Sequence, residues 1–171
     1  MVYRIVKYGD PILEKPSDLV TNFNSTELET LVADMFETMY AHKGVGLAAP
    51  QIGLAQRLTV IDCSAGEDEQ QKVVLINPEI IQKEGVQVGE EGCLSIPGFR
   101  EEVKRAKSAV VRAHNVQGEA FEIAGEDLLA RAMQHEIDHL NGILFLNHLS
   151  LLKRDIIRRR IRKMMKAGEW E

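Results

Sequence analysis

The 171-residue sequence has few of the residues that would place it in several large protein classes. It contains two cysteines, Cys63 and Cys93, too few for a disulfide-stapled secreted fold. In a reducing compartment each is expected as a free thiol or a metal ligand. No apolar run approaches the roughly 18 to 20 residues of a membrane-spanning helix. Met1 to Tyr8 carries Arg4 and Lys7 and lacks the apolar stretch of a signal peptide, so a cytoplasmic location without membrane association is expected. Aromatic residues make up 5%, but 44% hydrophobic with 27% charged residues is ordinary for a globular protein. There is no repeat, linker or low-complexity segment, and the length suits one domain spanning residues 1–171.

The net charge of −5 is unevenly distributed. Residues 149–171 hold eight basic and three acidic side chains, so this tail carries +5 and the remainder −10. Such asymmetry can mark an interaction tail. Its plain alternative is a solvated basic helix face, with Ile156, Ile157, Ile161, Met164 and Met165 on the packed side.

Along the chain, Thr26 and Glu29 read as a capping box. Leu28, Leu31, Val32, Met35, Phe36, Met39 and Tyr40 follow at helical spacing, predicting a helix that ends near His42. Gly44 to Gln51 reads as a loop of small residues. Arg57–Cys63, Lys72–Asn77 and Glu79–Val88 read as strands, divided by Gly66 and Pro78. Lys107–His114 and Glu119–Ala124 read as a hairpin. Gly89 to Pro97 reads as an irregular segment. A second helix is predicted from Glu126 to about Asn141 with Gly142 as its stop, and a last one from Leu149 to Lys166. Helices segregated from antiparallel strands give an α+β fold.

The strongest chemical signal is His135-Glu136-Ile137-Asp138-His139. Residues four apart share a helix face, so His135 and His139 can converge on one ion while Glu136 exchanges a proton beside it. The alternative is a solvated or packed histidine pair. With His near 2% and Glu near 6% of residues, chance gives the pattern at a stated site less than about once in ten thousand. Leu128 and Ala132 extend the same face as a small apolar wall, for which core packing is the plain alternative; Arg131 sits at its edge. A catalytic ion usually takes three protein ligands. His148, Asp155 and Glu169 lie downstream, but His148 is poorly placed, and Cys93 within its glycine-flanked segment is the better third ligand. Cys63, in an apolar strand, reads as a small buried hydrophobe.

Three segments in order, Gly44-Val45-Gly46-Leu47-Ala48-Ala49-Pro50-Gln51, Glu91-Gly92-Cys93-Leu94-Ser95 and Gln134-His135-Glu136-Ile137-Asp138-His139, closely resemble the signatures of peptide deformylases. The likeness spans essentially the whole chain. It implies antiparallel sheets packed around a central helix that carries the histidine motif, followed by a basic C-terminal helix. It also implies removal of the formyl group from N-formylmethionyl nascent peptides. Cys93, His135 and His139 would bind one divalent metal, Fe(II) in the native state, with Ni(II), Co(II) or Zn(II) as substitutes. Glu136 would be the general acid/base for attack of a metal-activated hydroxide on the formyl carbon. Gln51 and the Leu94 backbone N–H would hold the oxyanion, a contribution of roughly 3 to 4 kcal/mol each in comparable sites.

The resemblance further implies that Val45, Gly46 and Gly92 contact the peptide through backbone, and that Val45, Leu128, Ala132 and His135 form the methionine pocket. Two positions depart from the common pattern. Gly89 stands where relatives often have a bulky aliphatic, and Arg131 replaces an apolar residue, which predicts a more open or more polar rim. The basic tail would dock on the ribosome, without sequence-specific nucleic-acid binding. The alternatives are a peptidase of the zinc-protease type, in which Cys93 would be dispensable, and a non-catalytic ribosome-associated protein.

Overall fold

The computed structural model describes residues 1–170. The first helix, α1 (Thr26–Ala41), buries Leu28, Val32, Met35, Phe36 and Met39 on one face. Its N-cap is Ser25, whose hydroxyl accepts from the Leu28 N–H, so the cap lies one residue before the capping box expected at Thr26. Three strands follow: β1 (Gly46–Ala48), β2 (Leu58–Asp62) and β3 (Lys72–Glu84). A hairpin, β4 (Gln87–Cys93) and β5 (Ile96–Arg105), comes next, then a second hairpin, β6 (Ser108–His114) and β7 (Ala120–Glu126). The chain closes with α2 (Asp127–Leu140) and α3 (Leu151–Lys166). Residue 171 of the basic segment 149–171 lies outside the described residues.

β1, β2, β3, β6 and β7 form one antiparallel sheet in that order, and β4 with β5 forms a separate ribbon. The α+β class is therefore borne out, with three corrections. The expected loop 44–51 contains β1 and a short 3-10 turn, Ala49–Ile52. The expected irregular segment 89–97 is the end of β4, a two-residue turn at Leu94 and Ser95, and the start of β5. The strand expected over 79–88 is divided: 79–84 is the second half of β3, which runs through Pro78 instead of breaking there, and Gln87 and Val88 begin β4. Proline survives because the ladder with β6 slips between Ile76 and Glu79, and a bulge needs no N–H at that point.

α2 is buried almost all round, as a helix enclosed on every side must be. Ala130, Met133 and Ile137 pack on Ile61, Leu75, Val111 and Ala113 of the five-stranded sheet. The β4–β5 ribbon lies against another face of the helix through charged side chains. A second core, Leu13, Ile96, Phe145, Leu146, Ile157 and Ile161, seats α3 and the ribbon. Ile156 and Met165, expected on the packed side of α3, are exposed, because that face is narrow and centred on Ile157 and Ile161. Cys63, just past β2, is half-buried against the sheet core, and burial raises its thiol pKa.

α2 ends as expected at Gly142, which has φ +75° and lies where a Cβ would meet the Lys15 backbone at 2.8 Å. Gly142→Ala should therefore destabilise the fold by about 2 kcal/mol, combining left-handed strain with backbone overlap. A thermal midpoint unchanged within error would show that this helix end is not fixed by Gly142.

Candidate metal centre

α2 places His135 and His139 one turn apart, with their Nε2 atoms 3.2 Å from each other. Cys93 Sγ, at the last residue of β4, lies 3.4 Å from His139 Nε2. All three donors fall within 4.8 Å of one another. A tetrahedral ion with ordinary metal–nitrogen and metal–sulfur bonds would separate two imidazole nitrogens by about 3.3 Å, and sulfur from nitrogen by about 3.6 Å. The donor set therefore fits a divalent cation. Burial and the neighbouring His135 push the His139 pKa well below its usual value, which favours the neutral ring a ligand must present.

Glu91 organises the centre. It is buried on β4, and its Oε1 accepts from His135 Nδ1 at 2.8 Å and from Arg105 Nη2 at 2.9 Å. Its Oε2 accepts from Arg105 Nε at 2.8 Å and Arg131 Nη1 at 2.6 Å. Burial alone would raise the Glu91 pKa, but hydrogen bonds from Arg105 and His135 hold it well below the usual carboxylate range. An ionised Glu91 can only accept, so His135 carries its proton on Nδ1 and turns Nε2 toward His139 and Cys93. Arg105 also donates to Asp138 Oδ2 at 2.6 Å, and His148 Nε2 contacts the same oxygen at 2.8 Å. His148 thus pairs with Asp138 and stands apart from the donor cluster.

Glu136 sits beside the ligands with Oε1 buried and without a protein partner. Burial is the main cause lifting its pKa to about 7; His135 opposes the shift and Glu91 adds to it. The carboxyl lies so near β1 that a Cβ at Gly46 would come within 2.8 Å of Glu136 Cδ, which accounts for glycine there. Gln51 is fixed from behind: its Oε1 accepts from the Ala48 N–H at 3.0 Å, and its Nε2 lies 3.2 Å from Ser95 Oγ and 3.5 Å from Cys93 Sγ. Leu94 occupies the tight turn that follows Cys93. The N-terminal segment ties the two loops together, with Val6 N–H donating to Gln51 O and Tyr8 N–H to Ser95 O.

These residues surround one cleft of about 720 Å³. Val45, Gly46, Gly92, Leu128 and Ala132 line it, together with Gln51, Leu94 and Glu136. Leu128 is 48% exposed and so is not a core residue, whereas Ala132 is buried in the sheet core as well as facing the cleft. Arg131 also lines the cleft, but it is buried rather than on an open rim, because Glu91 draws its guanidinium inward. His139 is the most buried of the three donors and Gly89 lies behind Arg131; neither is part of the cleft surface.

The sequence reading gave no role to Glu91, Arg105, Asp138 or Ser95. The usable signal was period two along β4, which sets Glu91 on the same face as Gly89 and Cys93. Reading the segment as irregular hid it.

Fold and site together define a class: an α+β protein in which a helical His-Glu-x-x-His motif and a strand-borne cysteine could hold a metal beside a buried carboxyl. The family model for polypeptide deformylase matches residues 2–155. A peptide deformylase of Acidobacterium capsulatum is 61% identical over 170 residues, covering 99% of each chain. The crystal structure of a peptide deformylase from Legionella pneumophila superposes with a TM-score of 0.91 at 45% identity, covering 100% of this chain and 99% of the other. That from Thermus thermophilus gives 0.87 at 42% identity, covering 98% of each. The chain belongs to the polypeptide deformylase family, and with it to the hydrolases.

Two outcomes are expected. Glu91→Gln should weaken metal affinity about 10- to 100-fold, since it loosens the outer partner of His135; unchanged affinity in a competition titration with a chelator would remove Glu91 from the centre. The Glu136 carboxyl titrates higher in the fold than its ordinary value of 4.5, so the metal-free fold loses stability as pH rises from about 4.5 through about 7. Metal-free Glu136→Gln should therefore melt above the parent at pH 8 and close to it at pH 4.5. Equal midpoints at both pH values would contradict the raised pKa.

Proposed function

We propose that the protein hydrolyses the N-formyl group of formylmethionyl N-termini on newly made polypeptides, releasing formate. The carrying observation is the Cys93, His135 and His139 donor cluster with Glu136 buried beside it at the base of a cleft, in a chain of the polypeptide deformylase family. A divalent cation held by these three residues, Fe(II) in the native state, supplies Lewis acidity and lowers the pKa of water. Ni(II), Co(II) or Zn(II) suit the same donors.

The chain's own groups supply the rest. Glu136 takes a proton from water as its oxygen bonds to the formyl carbon, and returns it to the amine nitrogen as the C–N bond breaks. The Gln51 amide and the Leu94 backbone N–H stabilise the oxyanion, and the bond from Ala48 keeps the amide oriented before substrate arrives. The Val45–Gly46 backbone at the outer edge of the five-stranded sheet and Gly92 on β4 suit an extended peptide laid in as an added strand. Val45, Leu128, Ala132 and His135 then take the methionine side chain. A narrow seat admits a formyl hydrogen and excludes the methyl of an acetyl group.

We place this activity in a single domain, residues 1–171, working in the cytoplasm; among the described residues no helix is long and apolar enough to cross a membrane. The basic helix α3 docks on the ribosome, where salt should weaken binding to phosphate. Exposed Leu151, Leu152 and Ile156 on the same helix give that surface apolar contacts.

The test is formate release by anaerobically purified protein from a formyl-Met peptide, with an acetyl-Met peptide as control. Release is expected from the formyl peptide alone. Glu136→Ala should lower kcat by about 10² to 10⁴ and Gln51→Ala by about 10² to 10³. Cys93→Ala should lose bound metal by elemental analysis. A fully metal-loaded protein that releases no formate would sink the reading. Internal peptide cleavage surviving Cys93→Ala would instead favour a peptidase. For α3, neutralising Arg158, Arg159, Arg160 and Arg162 should abolish ribosome co-sedimentation, and unchanged co-sedimentation would refute docking.

A further inference from the structure

We propose that Gly89 and Arg131 form one coupled element that sets the width of the first-side-chain pocket and links its filling to the orientation of His135. The link to the pocket rests on the deformylase reading above; the coupling itself does not.

Arg131 stands on α2 in the wall of the cleft, one residue before Ala132 and one turn after Leu128. Its apolar stem suits that wall while its charged head is held elsewhere. Nη1 donates to Glu91 Oε2 at 2.6 Å and to Val103 O at 3.0 Å. Nη2 has a weaker partner, Gln87 Oε1 at 3.4 Å. The Nη2 end of the guanidinium is therefore positioned largely by the space that β4 leaves for it.

Gly89 leaves that space. A Cβ built there would lie 3.2 Å from Arg131 Nη2, 3.6 Å from Cζ and 3.8 Å from Nε. Gly89 is a strand residue outside the left-handed region, so its backbone conformation does not call for glycine. A strand interior would ordinarily favour a side chain over glycine. The guanidinium supplies a reason: a Cβ at 89 would press on Arg131 Nη2, which would have to give by a few tenths of an ångström.

The consequence reaches the centre through Glu91. Arg131 and Arg105 bond the same Oε2, while Oε1 holds His135 Nδ1. Displacement of the guanidinium by a side chain at 89 loosens the carboxylate that aims His135. Arg131 is thus a positioning residue, and a substrate side chain that fills the pocket stiffens the wall that aims the ligand. A long first side chain should then raise kcat and not merely lower KM.

The test is a double-mutant cycle of Gly89→Ala and Arg131→Met. It measures the thermal midpoint of metal-loaded and metal-free protein, and formate release from formyl-Met and formyl-Ala peptides. With Arg131 present, Gly89→Ala should lower both the midpoint and kcat. In the Arg131→Met background the same change should raise the midpoint by about 1 to 3 °C, the usual gain when glycine yields to alanine at a compatible site. Arg131→Met alone should lower kcat for formyl-Met peptides and reduce the Met-over-Ala ratio several-fold. An effect of Gly89→Ala with the same sign and size in both backgrounds would overturn the coupling. A change confined to KM, with the Met-over-Ala ratio intact, would overturn the positioning role. If no form of the protein releases formate, the deformylase reading fails while the midpoint cycle still decides the coupling.

Discussion

The buried carboxylate of Glu91 is the interaction on which the site depends. It joins two elements that share little apolar contact, the β4–β5 ribbon and the central helix, by accepting bonds from Arg105 on β5 and from Arg131 and His135 on α2. Burying such a group is costly unless it is fully paired, and removing one partner of a buried pair typically costs about 3 to 5 kcal/mol. Here two arginines face two carboxylates, Glu91 and Asp138, so the charges balance inside the fold. The network specifies one arrangement of ribbon against helix. That arrangement brings Cys93, at the end of β4, to the two histidines of α2.

Much of this was legible in the sequence, for physical reasons that differ between elements. α1 was readable because its apolar residues repeat at helical spacing behind a polar cap, and α2 because acidic residues open it and a glycine closes it. The β6–β7 hairpin was readable from β-branched residues on either side of Asn115 to Gly118. The histidine pair of the candidate metal site was readable because four-residue spacing on a helix is a geometric statement in itself. Cys93 needed its context, and the roles proposed for Gln51 and Leu94 come from resemblance alone, since nothing in a loop amide announces an oxyanion partner.

What was hidden shares one cause. β4 contains Gly89, Glu90, Glu91 and Gly92, four residues with poor strand propensity, so its strand character comes from pairing with β5 and not from its own side chains. Once β4 was read as irregular, Glu91 had no face and Arg131 looked like a rim residue. β1 is similar: three residues fixed by β2, with a glycine whose purpose is the close approach of Glu136. In both strands the local sequence is weak where the site makes its closest contacts. Glycines that reduce propensity make room for a carboxylate at 46 and a guanidinium at 89.

The same economy explains how a buried carboxyl at 136 is tolerated. Its Oε1 has no protein partner and its pKa stands near 7, so at neutral pH the metal-free fold is less stable than it would be with an apolar group there. A cation bound by the adjacent ligands would offset that cost electrostatically and pull the proton equilibrium back toward the carboxylate. Metal binding and the protonation state of Glu136 would then be one coupled equilibrium. The deeper stability that permits it lies in the cores beneath: Met133 and Ile137 on the sheet side of α2, and Ile96 and Phe145 beneath the ribbon. A fold can keep a buried carboxyl in this uncomfortable state when packing elsewhere holds the helix that carries it, and α2, enclosed on nearly every side, is that helix.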